Sequence, residues 1–557
     1  MTGYSLTGKH WTITKDFRGQ GSHALLHDLV KDRGLNSSTC ITLPMEVAEA
    51  QPPDLPKAME RMRSAVASGE KIGIFGDYDA DGITAVVLIL RYFHRRGMKP
   101  TVYLPHRQQE GYGLKESSLR TLLAQGITLL LTVDTGVSSA QELQMACDAG
   151  VDVIVVDHHH LPEMLPNAVA ILHPELARGT VAPASAAGVA FGLVSALEDG
   201  TWKGRDEDLA LAAIGTVADL VELKGENRNL VAAGLTSLTT LQGGPLPLLL
   251  RQSGITGAPT SRDIAFRIAP RLNAAGRMAD PRVALEALLG DPEALVQLET
   301  FNRERQSLTQ EILRELEKTA AATPSFFLTV SSPDYPAGIL GLIAGKLTES
   351  LGRPSMAAQV QGDVCVASLR SIPGFHVTEA LTSVADLLTS FGGHAQAAGC
   401  TFPHTALPEL QERLNAHAES LLTPQDLVPR LSIDGILDPA DVTLELCNAL
   451  QTLEPFGQGN PEPRFLLPGV RFSTLKRIGR EFAHLQGSIG HLKAVGFRLS
   501  SIFEKIPTHC DVACRIGIDT WNGNNRPQIF IEDVRPAVSA FFEPDQQEAP
   551  NLKLQAP

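Results

Sequence analysis

The sequence predicts an α/β protein with a doubly wound parallel-sheet domain, a second α/β domain joined to it by a long helix, and a C-terminal β-barrel. Three patterns predict this architecture. Between residues 71 and 172, apolar runs alternate with amphipathic helical segments, as expected for strands buried on both faces of a parallel sheet. A helical pattern of about 30 residues begins at Pro292. Short strand-like runs then fill the last part of the chain, whose 557 residues suffice for about three or four domains.

The first α/β domain is expected at residues 51–260, after an N-terminal leader at 1–50. The leader contains a helix near His23–Asp32. The strands of the domain are expected at 71–75, 101–104, 127–133, 151–156 and 168–172. Its helices are expected at 57–67, 83–96, 115–125, 139–149, 185–198, 206–217 and 228–241.

The pattern changes after residue 260. Residues 261–322 are expected to hold a bridging segment and the long helix, which would span about 45 Å. A second α/β domain is expected at 323–428, a small barrel of the OB kind at 429–537, and a disordered tail at 538–557. The barrel strands are expected at Val470–Leu475, His484–Ile489, Leu492–Phe497, Asp511–Ile518 and Gln528–Val534.

One turn of the first domain has an unusual density of acidic side chains. The run GDYDADG at 76–82 follows the strand at 71–75 and places Asp77, Asp79 and Asp81 within five residues. These carboxylates repel one another unless a cation neutralises them, and oxygen ligands suit hard cations such as Mg²⁺ or Mn²⁺. The turn therefore predicts part of a divalent-metal site.

Two further strands of the sheet end in potential ligands. Asp134 follows the strand at 127–133, and a DHHH run at 157–160 follows the strand at 151–156. An aspartate after a strand is usually a helix N-cap, but ligands of doubly wound sheets bind outside the carboxyl ends of the strands. Three such ends together favour one shared site. Carboxylates with imidazoles suit Mn²⁺ or Mg²⁺ better than structural zinc, and a two-ion site serves in-line attack on phosphate.

Four stretches, GDYDADG, DTG, DHH and GTVADL, resemble in this order the metal motifs of the DHH phosphoesterase superfamily. The resemblance implies two Mn²⁺ or Mg²⁺ ions, with Asp134 bridging them and Asp77 either a ligand or just outside the ligand shell. It implies His159 as the catalytic imidazole near the scissile phosphate and Asp157 as the residue that orients the histidines; His160 receives no role. The implied metal-binding residues are Asp77, Asp79, Asp81, Asp134, His158 and Asp219.

Three more stretches narrow the resemblance to the RecJ single-stranded-DNA exonucleases: RIAPRLNAAGR at 267–277, GGHAQAAG at 392–399 and EPFGQGNP at 454–461. The match spans about residues 55–535. It implies 5′-to-3′ hydrolysis of single-stranded DNA to 5′-mononucleotides in DNA repair and recombination. The implied substrate-binding residues are Arg271, Asn273, Arg277, Ser368, Arg370, Ser371, Gly392, Gly393 and His394.

Local patterns suggest how these groups would act. The Ala- and Gly-rich segment 271–277 is expected to be a loop that lines a strand-sized channel. Gly392 and Gly393 are expected to precede a helix whose N-terminus favours phosphate, with Arg370 as a bidentate clamp. Ordinary surface arginines and a simple helix start are the alternatives.

The barrel also carries a basic stretch with aromatic neighbours. Such a stretch suits single-stranded nucleic acid, although a solvated hairpin with core phenylalanines explains it nearly as well. The residues concerned are Arg471, Phe472, Lys476, Arg477, Arg480 and Phe482.

Composition limits the remaining possibilities. The net charge of −14 disfavours a non-specific coat for nucleic acid but allows a local basic channel. Seven scattered cysteines and the lack of a signal-like or membrane-spanning apolar segment predict a reduced cytoplasmic protein without membrane contact. Expected partners are single-stranded DNA and a helicase or single-strand-binding protein.

Two alternative functions stay open at this point. One is a DHH-family phosphodiesterase of oligonucleotides or cyclic dinucleotides, although such relatives generally lack an OB domain. The other is a non-catalytic replication scaffold of the Cdc45 kind, which would have lost the metal ligands that this sequence retains.

Overall fold

The computed structural model describes residues 4–35, 52–177, 184–198, 204–320, 325–520 and 525–538. Residues 1–3 and 36–50 of the expected leader and nearly all of the expected tail at 538–557 lie outside the described residues. Among the described helices, none is long and apolar enough to cross a membrane.

The first domain is built on a five-stranded parallel sheet, as predicted. Side chains alternate between two hydrophobic cores, with Ile74 and Leu131 on one face and Phe75 and Leu130 on the other. Helices therefore cover both faces, and the doubly wound architecture is confirmed. In spatial order the strands are Thr101–Tyr103, Ile72–Gly76, Leu129–Val133, Asp152–Val156 and Ala170–Leu172.

The strand order places a topological switch at the centre of this sheet. From Ile72–Gly76 the chain moves to one side and then returns to Leu129–Val133 on the other. Ligands of such sheets bind at the carboxyl ends of strands beside the switch. The helices of this unit are Leu55–Ser68, Ala80–His94, Glu116–Leu123, Ala140–Asp148, Ala186–Leu197, Arg205–Ala218, Gly225–Thr240 and Pro245–Gln252.

The bridging segment is helical throughout its middle, so the expected loop at 271–277 is wrong. Pro270 stands in the first turn of the helix Ala269–Met278, directly after the π-helix Ile264–Ile268, which widens the turn that precedes the proline. The small residues serve close packing: a Cβ on Gly276 would lie 3.1 Å from the carbonyl oxygen of Tyr78. The segment consists of Ser261–Asp263, the π-helix Ile264–Ile268, and the helices Ala269–Met278, Arg282–Leu289 and Pro292–Ala320.

The second α/β domain has a mixed five-stranded sheet. Its expected phosphate-binding helix start is wrong, because Ser390–His394 is an edge strand that pairs antiparallel with Ala397–Pro403. The other strands are Val364–Arg370, Ser355–Gln361 and Leu328–Ser332. Its helices are Leu340–Leu351, Val377–Thr382 and Leu407–Leu421, with short 3-10 turns at Ala337–Ile339, Ala385–Leu387 and His404–Ala406.

The C-terminal unit forms one seven-stranded sheet rather than the five strands expected. The expected strand at 470–475 spans the break between two observed strands. Within the described residues the two edge strands do not pair, so the sheet is open. In spatial order the strands are Gly435–Ile436, Phe465–Val470, Cys510–Asp519, Arg526–Pro536, Leu492–Gly496, His484–Ile489 and Thr474–Ile478, with a helix at Leu444–Gln451.

The N-terminal residues pack on this C-terminal unit. Strand His10–Ile13 pairs in parallel with Arg430–Ile433, and helix Ser22–Asp32 places Leu25 and Leu29 in the C-terminal core. The Trp11 indole N–H donates a hydrogen bond to Asp533 Oδ2 at 3.0 Å.

Candidate metal centre

The carboxyl ends of the three central strands bring their acidic and imidazole side chains together. Asp134 is 3% exposed and holds the left-handed backbone conformation (φ 62°), which Asp tolerates better than most residues. His158 Nε2 lies 3.1 Å from Asp134 Oδ1 and 3.8 Å from Asp81 Oδ2, and His158 Nδ1 lies 3.6 Å from Asp219 Oδ2. One histidine thus contacts carboxylates from three different elements.

These side chains form three overlapping groups, each with ligand atoms within 4.8 Å of one another. Asp134 belongs to two of the groups, and so does His158, so the sets share side chains in the way expected of neighbouring cations. The groups are Asp77 with Asp79 and Asp134, Asp81 with His158 and Asp219, and Asp134 with His158 and His159.

Asp81 is fixed by the start of a neighbouring helix. Its two carboxylate oxygens accept hydrogen bonds from the N–H groups of Ala186 and Ala187 at 2.8 and 2.9 Å. Helix N-termini favour negative charge. A Cβ on Gly215 would lie 2.6 Å from Asp81 Oδ1, so the helix that ends in Asp219 approaches this closely only because residue 215 is glycine.

The acidic turn itself is held by two local contacts. Asp79 is the N-cap of helix Ala80–His94, and its Oδ1 accepts a hydrogen bond from Gly82 N–H at 3.0 Å. Asn273 Oδ1 accepts a hydrogen bond from Ala80 N–H at 2.8 Å. Asn273, predicted to contact DNA, therefore braces the metal turn from the bridging helix.

His159 is oriented by Asp157 and Tyr112. Its Nδ1 lies 2.7 Å from Asp157 Oδ1, and the Tyr112 hydroxyl lies 3.1 Å from each ring nitrogen. Asp157 also accepts hydrogen bonds from Val137 N–H and His158 N–H at 2.9 and 2.7 Å. We assign the Nδ1 proton to the Asp157 hydrogen bond, which leaves Nε2 for Tyr112 or a substrate.

Burial and mutual repulsion shift the carboxyl groups strongly. Burial, with the charge of Asp79, raises the pKa of Asp81 to about 7, and burial, with the charges of Asp81 and Asp79, raises that of Asp219 to about 9. Burial, followed by the charge of Asp79, raises the pKa values of Asp77 and Asp134 well above the ordinary value. Arg107 and His159 lower the pKa of Asp77, but less than burial and Asp79 raise it.

The two histidines shift in opposite directions. Burial and the neighbouring His159 lower the pKa of His158 to about 4, so His158 is neutral and suited to ligation at neutral pH. Burial lowers the pKa of His159, but the hydrogen bond that its Nδ1 donates to Asp157 and the charges of nearby carboxylates raise the pKa above its ordinary value. Burial alone would raise the pKa of Asp157, but the hydrogen bond from His159 and the charge of His159 lower the pKa of Asp157 below its ordinary value.

The donor set fits hard divalent cations. Asp77 is 5% exposed, and its Oδ1 atom is buried without a hydrogen-bond partner among the described residues. An orphaned, buried carboxylate oxygen is costly unless a cation or water satisfies it. Oxygen-rich sites with one or two imidazoles suit Mn²⁺ and Mg²⁺.

A group of arginines lies beside the metal centre. Burial, with repulsion from Arg107, Arg305 and Arg370, lowers the pKa of Arg277 to about 9. Burial and Arg107 likewise lower the pKa of Arg370. Crowded guanidinium groups of this kind create a binding place for an anion such as phosphate. Arg271 is neutralised instead, since its Nε lies 2.8 Å from Glu299 Oε2.

The remaining predicted substrate residues line the facing domain. Ser368 Oγ accepts a hydrogen bond from Arg370 Nη1 at 3.2 Å, and Ser371 Oγ donates one to Phe375 O at 2.6 Å. The His394 ring contacts the His160 ring of the first domain, with centroids 5.3 Å apart. Gly392 and Gly393 precede His394 on the exposed edge strand.

The positive φ of Gly393 (146°) explains its residue type. A Cβ there would lie 2.4 Å from the carbonyl oxygen of Ala397. The close hairpin therefore requires glycine, apart from any contact with substrate.

The aromatic side chains in and near the basic stretch of the C-terminal unit are partly buried in the core and partly exposed. Phe472 is 5% exposed and belongs to the core, whereas Phe482 and Phe497 are each 59% exposed. Arg477 stacks over Phe503 with its guanidinium carbon 4.8 Å from the ring centroid. Phe497, beside His484, was not predicted from the sequence.

Sequence patterns missed Arg107, Tyr112 and Arg305. Arg107 and Tyr112 lie in the irregular segment between strand Thr101–Tyr103 and helix Glu116–Leu123, where no periodicity marks them. Arg305 lies on the long helix among other charged residues. The run EGYG at 110–113 was the signal that the sequence offered, because closely spaced glycines often mark a loop with a constrained backbone. In the structure both of its glycines have positive φ.

Three family models match the chain. The DHH family, N-terminal domain, covers residues 71–216, the DHHA1 domain covers residues 324–420, and the RecJ OB domain covers residues 433–533. The first match contains Asp77, Asp134 and His158, and the second contains Arg370 and His394.

Curated relatives and a solved structure match along most of the chain. The single-stranded-DNA-specific exonuclease RecJ of Bacillus subtilis is 33% identical over 93% of this chain and 69% of its own length. The Escherichia coli protein of the same name is 31% identical over 86% of this chain and 90% of its own length. The crystal structure of RecJ in complex with Mn²⁺ from Thermus thermophilus is 29% identical, with a TM-score of 0.81 over 97% of this chain and 80% of that one.

Proposed function

The chain belongs to the RecJ family, and from this premise we propose that it is a divalent-metal-dependent exonuclease that hydrolyses single-stranded DNA. The observation that carries the proposal is the meeting of five aspartates and two histidines at one sheet edge, with an arginine group beside them. RecJ of Thermus thermophilus has been solved with Mn²⁺ and with Mg²⁺, which supports these ions for the present site.

Two ions would be held by the overlapping groups. Asp77, Asp79 and Asp134 would hold one ion, and Asp81, His158 and Asp219 the other, with Asp134 next to both. Bound ions of this kind lower the pKa of a water and offset the charge that gathers on a phosphate under in-line attack.

His159 would act on the substrate side of the site. In the charged form of His159 both ring nitrogens carry a proton, so Nδ1 donates to Asp157 and Nε2 would donate a hydrogen bond to an oxygen of the scissile phosphate. Asp157 stabilises the charged imidazole and fixes its orientation. Tyr112 holds the ring from the other side when no strand is present.

The arginine group would hold the end of the strand. Arg277 and Arg370 come from different domains, and their mutual repulsion with Arg107 is relieved when a phosphate binds between them. Ser368, Ser371, Gly392, Gly393 and His394 would complete this wall of the cleft. Asn273 we assign to the support of the metal turn, and Arg271 to the ion pair with Glu299.

The proposed direction of hydrolysis along the strand is inferred from membership of the RecJ family. We propose that the chain acts from the 5′ end and releases 5′-mononucleotides, in the cytoplasm, during DNA repair and recombination. A helicase or a single-strand-binding protein would supply the single strand. The C-terminal unit, with the exposed Phe482 and Phe497 beside basic side chains, would bind the strand further from its end.

The competing functions predict different substrates. A phosphodiesterase of short oligonucleotides or cyclic dinucleotides has no need of a strand-binding unit, and the RecJ OB match over residues 433–533 argues against it. A replication scaffold has no need of ligands, yet all six proposed metal-binding residues are present and close together.

One set of assays separates the three functions. A long single strand labelled at its 5′ or 3′ end, a duplex and a cyclic dinucleotide are each incubated with Mn²⁺ and with chelator. We expect metal-dependent release of 5′-labelled mononucleotide from the single strand alone. Cleavage of the cyclic dinucleotide alone, or of nothing, would contradict the proposal.

A further inference from the structure

The segment 452–461, here named the docking segment, joins the C-terminal unit to the metal-binding domain. It begins at the end of helix Leu444–Gln451 and contains the EPFGQGNP run. The C-terminal unit follows the second α/β domain in sequence, yet this segment packs against residues of the first domain. The proposed function gives no role to this contact.

Arg228 is the centre of the contact. From helix Gly225–Thr240 of the first domain, its guanidinium donates hydrogen bonds to four consecutive carbonyl groups. These carbonyls lie just beyond the last residue of helix Leu444–Gln451, and the several N–H donors of one planar guanidinium can serve such a row of acceptors. The acceptors are Thr452 O at 3.3 Å, Leu453 O at 2.7 Å, Glu454 O at 2.6 Å and Pro455 O at 3.3 Å.

Asn460 closes the segment on itself. It is fully buried, and its Nδ2 donates to Leu453 O at 2.8 Å and to Pro455 O at 2.9 Å. Its Oδ1 accepts a hydrogen bond from Arg33 Nη1 at 3.0 Å, which ties in the N-terminal helix as well. The segment is therefore a compact, preformed body rather than a flexible linker.

Two further hydrogen bonds join the docking segment to the bridging segment and to the first domain. Ser261 Oγ donates to Phe456 O at 2.6 Å, and Leu223 N–H donates to Gln458 O at 2.8 Å. A Cβ on Gly457 would lie 2.7 Å from Leu223 Cδ1, so the glycine permits this close approach. Leu223 is four residues beyond Asp219, which places the docking segment next to the loop that leaves the metal centre.

We propose that Arg228 is a positioning residue, which fixes the C-terminal unit on the metal-binding domain so that a strand bound by that unit is delivered to the cleft. This inference rests on the proposed function. With the two sites held at a set distance, binding of the second part of a strand becomes intramolecular. Without Arg228 the docking segment would lose four of its hydrogen bonds to the rest of the protein and would keep those of Phe456 and Gln458.

The first test uses Arg228→Ala and Arg228→Lys in the full chain, with Arg120→Ala as the control. Arg120 is an exposed arginine whose ion pair lies within its own helix. Substrates are single strands of about 3 and about 40 nucleotides, below and above the roughly 4–16 nucleotides that a single OB unit covers. We expect Arg228→Ala to raise KM for the long strand at least about tenfold, with kcat and the KM for the short strand within about twofold.

Arg228→Lys is not expected to restore the normal KM for the long strand, because one ammonium group cannot donate hydrogen bonds to four consecutive carbonyls. Normal KM for the long strand in both Arg228 variants would overturn the inference. Equal KM values of the unaltered chain for the two lengths would overturn it as well.

The second test does not depend on activity. Hydrogen–deuterium exchange is followed at the amides of Leu223 and Gly457, and Gly457→Val provides an independent way to force the segment away from Leu223. Arg228→Ala and Gly457→Val are both expected to speed exchange in 219–224 and 454–461 while exchange in strand Ile72–Gly76 stays unchanged. Unchanged exchange in both variants would overturn the docking role, whereas an inactive unaltered chain with faster exchange in the variants would overturn only the proposed function.

Discussion

The Nε2 atom of His158 lies 3.1 Å from Oδ1 of Asp134, and this contact joins the two groups of carboxylates into one centre. Because the pKa of His158 is lowered to about 4 by burial and by His159, the contact pairs a neutral imidazole with a buried acid. A neutral imidazole is the form that ligates metal. The geometry is therefore prepared for cations before they bind.

Protons and metal ions should compete for this centre. Folding raises the pKa of Asp81 to about 7 and of Asp219 to about 9, so these two groups hold more protons in the folded protein than in the unfolded chain from about pH 4 to pH 9. Stability without metal should accordingly fall as pH rises through this window. Tm measured in chelator should decrease with pH, and the increase in Tm on adding Mn²⁺ should be larger at about pH 8 than at about pH 6.

Asp219→Asn is the control for this pH dependence, since it removes one titrating group and leaves the shape. Its Tm in chelator should depend less steeply on pH than that of the unaltered chain. A slope equal to that of the unaltered chain would show that Asp219 is not the source.

Asn273→Ala should weaken the metal site rather than DNA binding. The change removes the acceptor for Ala80 N–H and should cost about 1 kcal/mol of stability. Supports of this kind typically contribute about 10- to 100-fold to metal affinity. Mn²⁺ titration should show that loss of affinity, while KM for DNA at saturating Mn²⁺ stays near normal. An unchanged Mn²⁺ affinity with a raised KM would instead assign Asn273 to DNA binding.

Tyr112→Phe should lower kcat, because the ring of His159 loses one of its two orienting contacts. Burial of the hydroxyl and the charges of Asp157 and Asp134 raise the pKa of Tyr112, so the hydroxyl stays neutral; it donates to Asp134 O at 3.3 Å and can accept a hydrogen bond from the charged His159 ring. We expect a loss of about 10-fold in kcat with Mn²⁺ affinity unchanged. Steady-state kinetics at saturating metal checks this, and a change in KM alone would assign Tyr112 to substrate binding instead.

Arg370→Ala should mainly raise KM for single-stranded DNA. Its guanidinium is one of several that require an anion, and removal of one phosphate contact should leave the metal centre intact. We expect an increase of about 10-fold in KM, with a weaker dependence of binding on salt. Arg413→Ala, which breaks a surface ion pair with Asp386 in the same domain, is the matched control. Unchanged KM and kcat for Arg370→Ala would argue against the clamp.

The sequence predicted the strands and the order of the acidic motifs because these depend on local pattern. Ile72–Gly76 and Leu129–Val133 are continuous apolar runs, and each is followed at once by a carboxylate. Adjacent parallel strands then bring Asp77 and Asp134 to one edge without further information.

The errors arose where distant contacts decide the structure. Residues 271–277 have the small side chains of a loop, but they form a helix that packs against the turn at Tyr78. Gly392 and Gly393 belong to a strand because Ala397–Pro403 pairs with it. Arg271 has a partner 28 residues away on the long helix, which no local pattern reveals.

The most direct test of the central claim compares the unaltered chain with Asp134→Asn on a long single strand. Asparagine tolerates the left-handed backbone at position 134 but cannot offer a negative charge to two ions. With Mn²⁺ the unaltered chain should release mononucleotides and chelator should abolish the release, while Asp134→Asn should lose more than about 100-fold in kcat yet still bind the strand. Near-normal, metal-dependent release by Asp134→Asn, or release by the unaltered chain in chelator, would contradict the account.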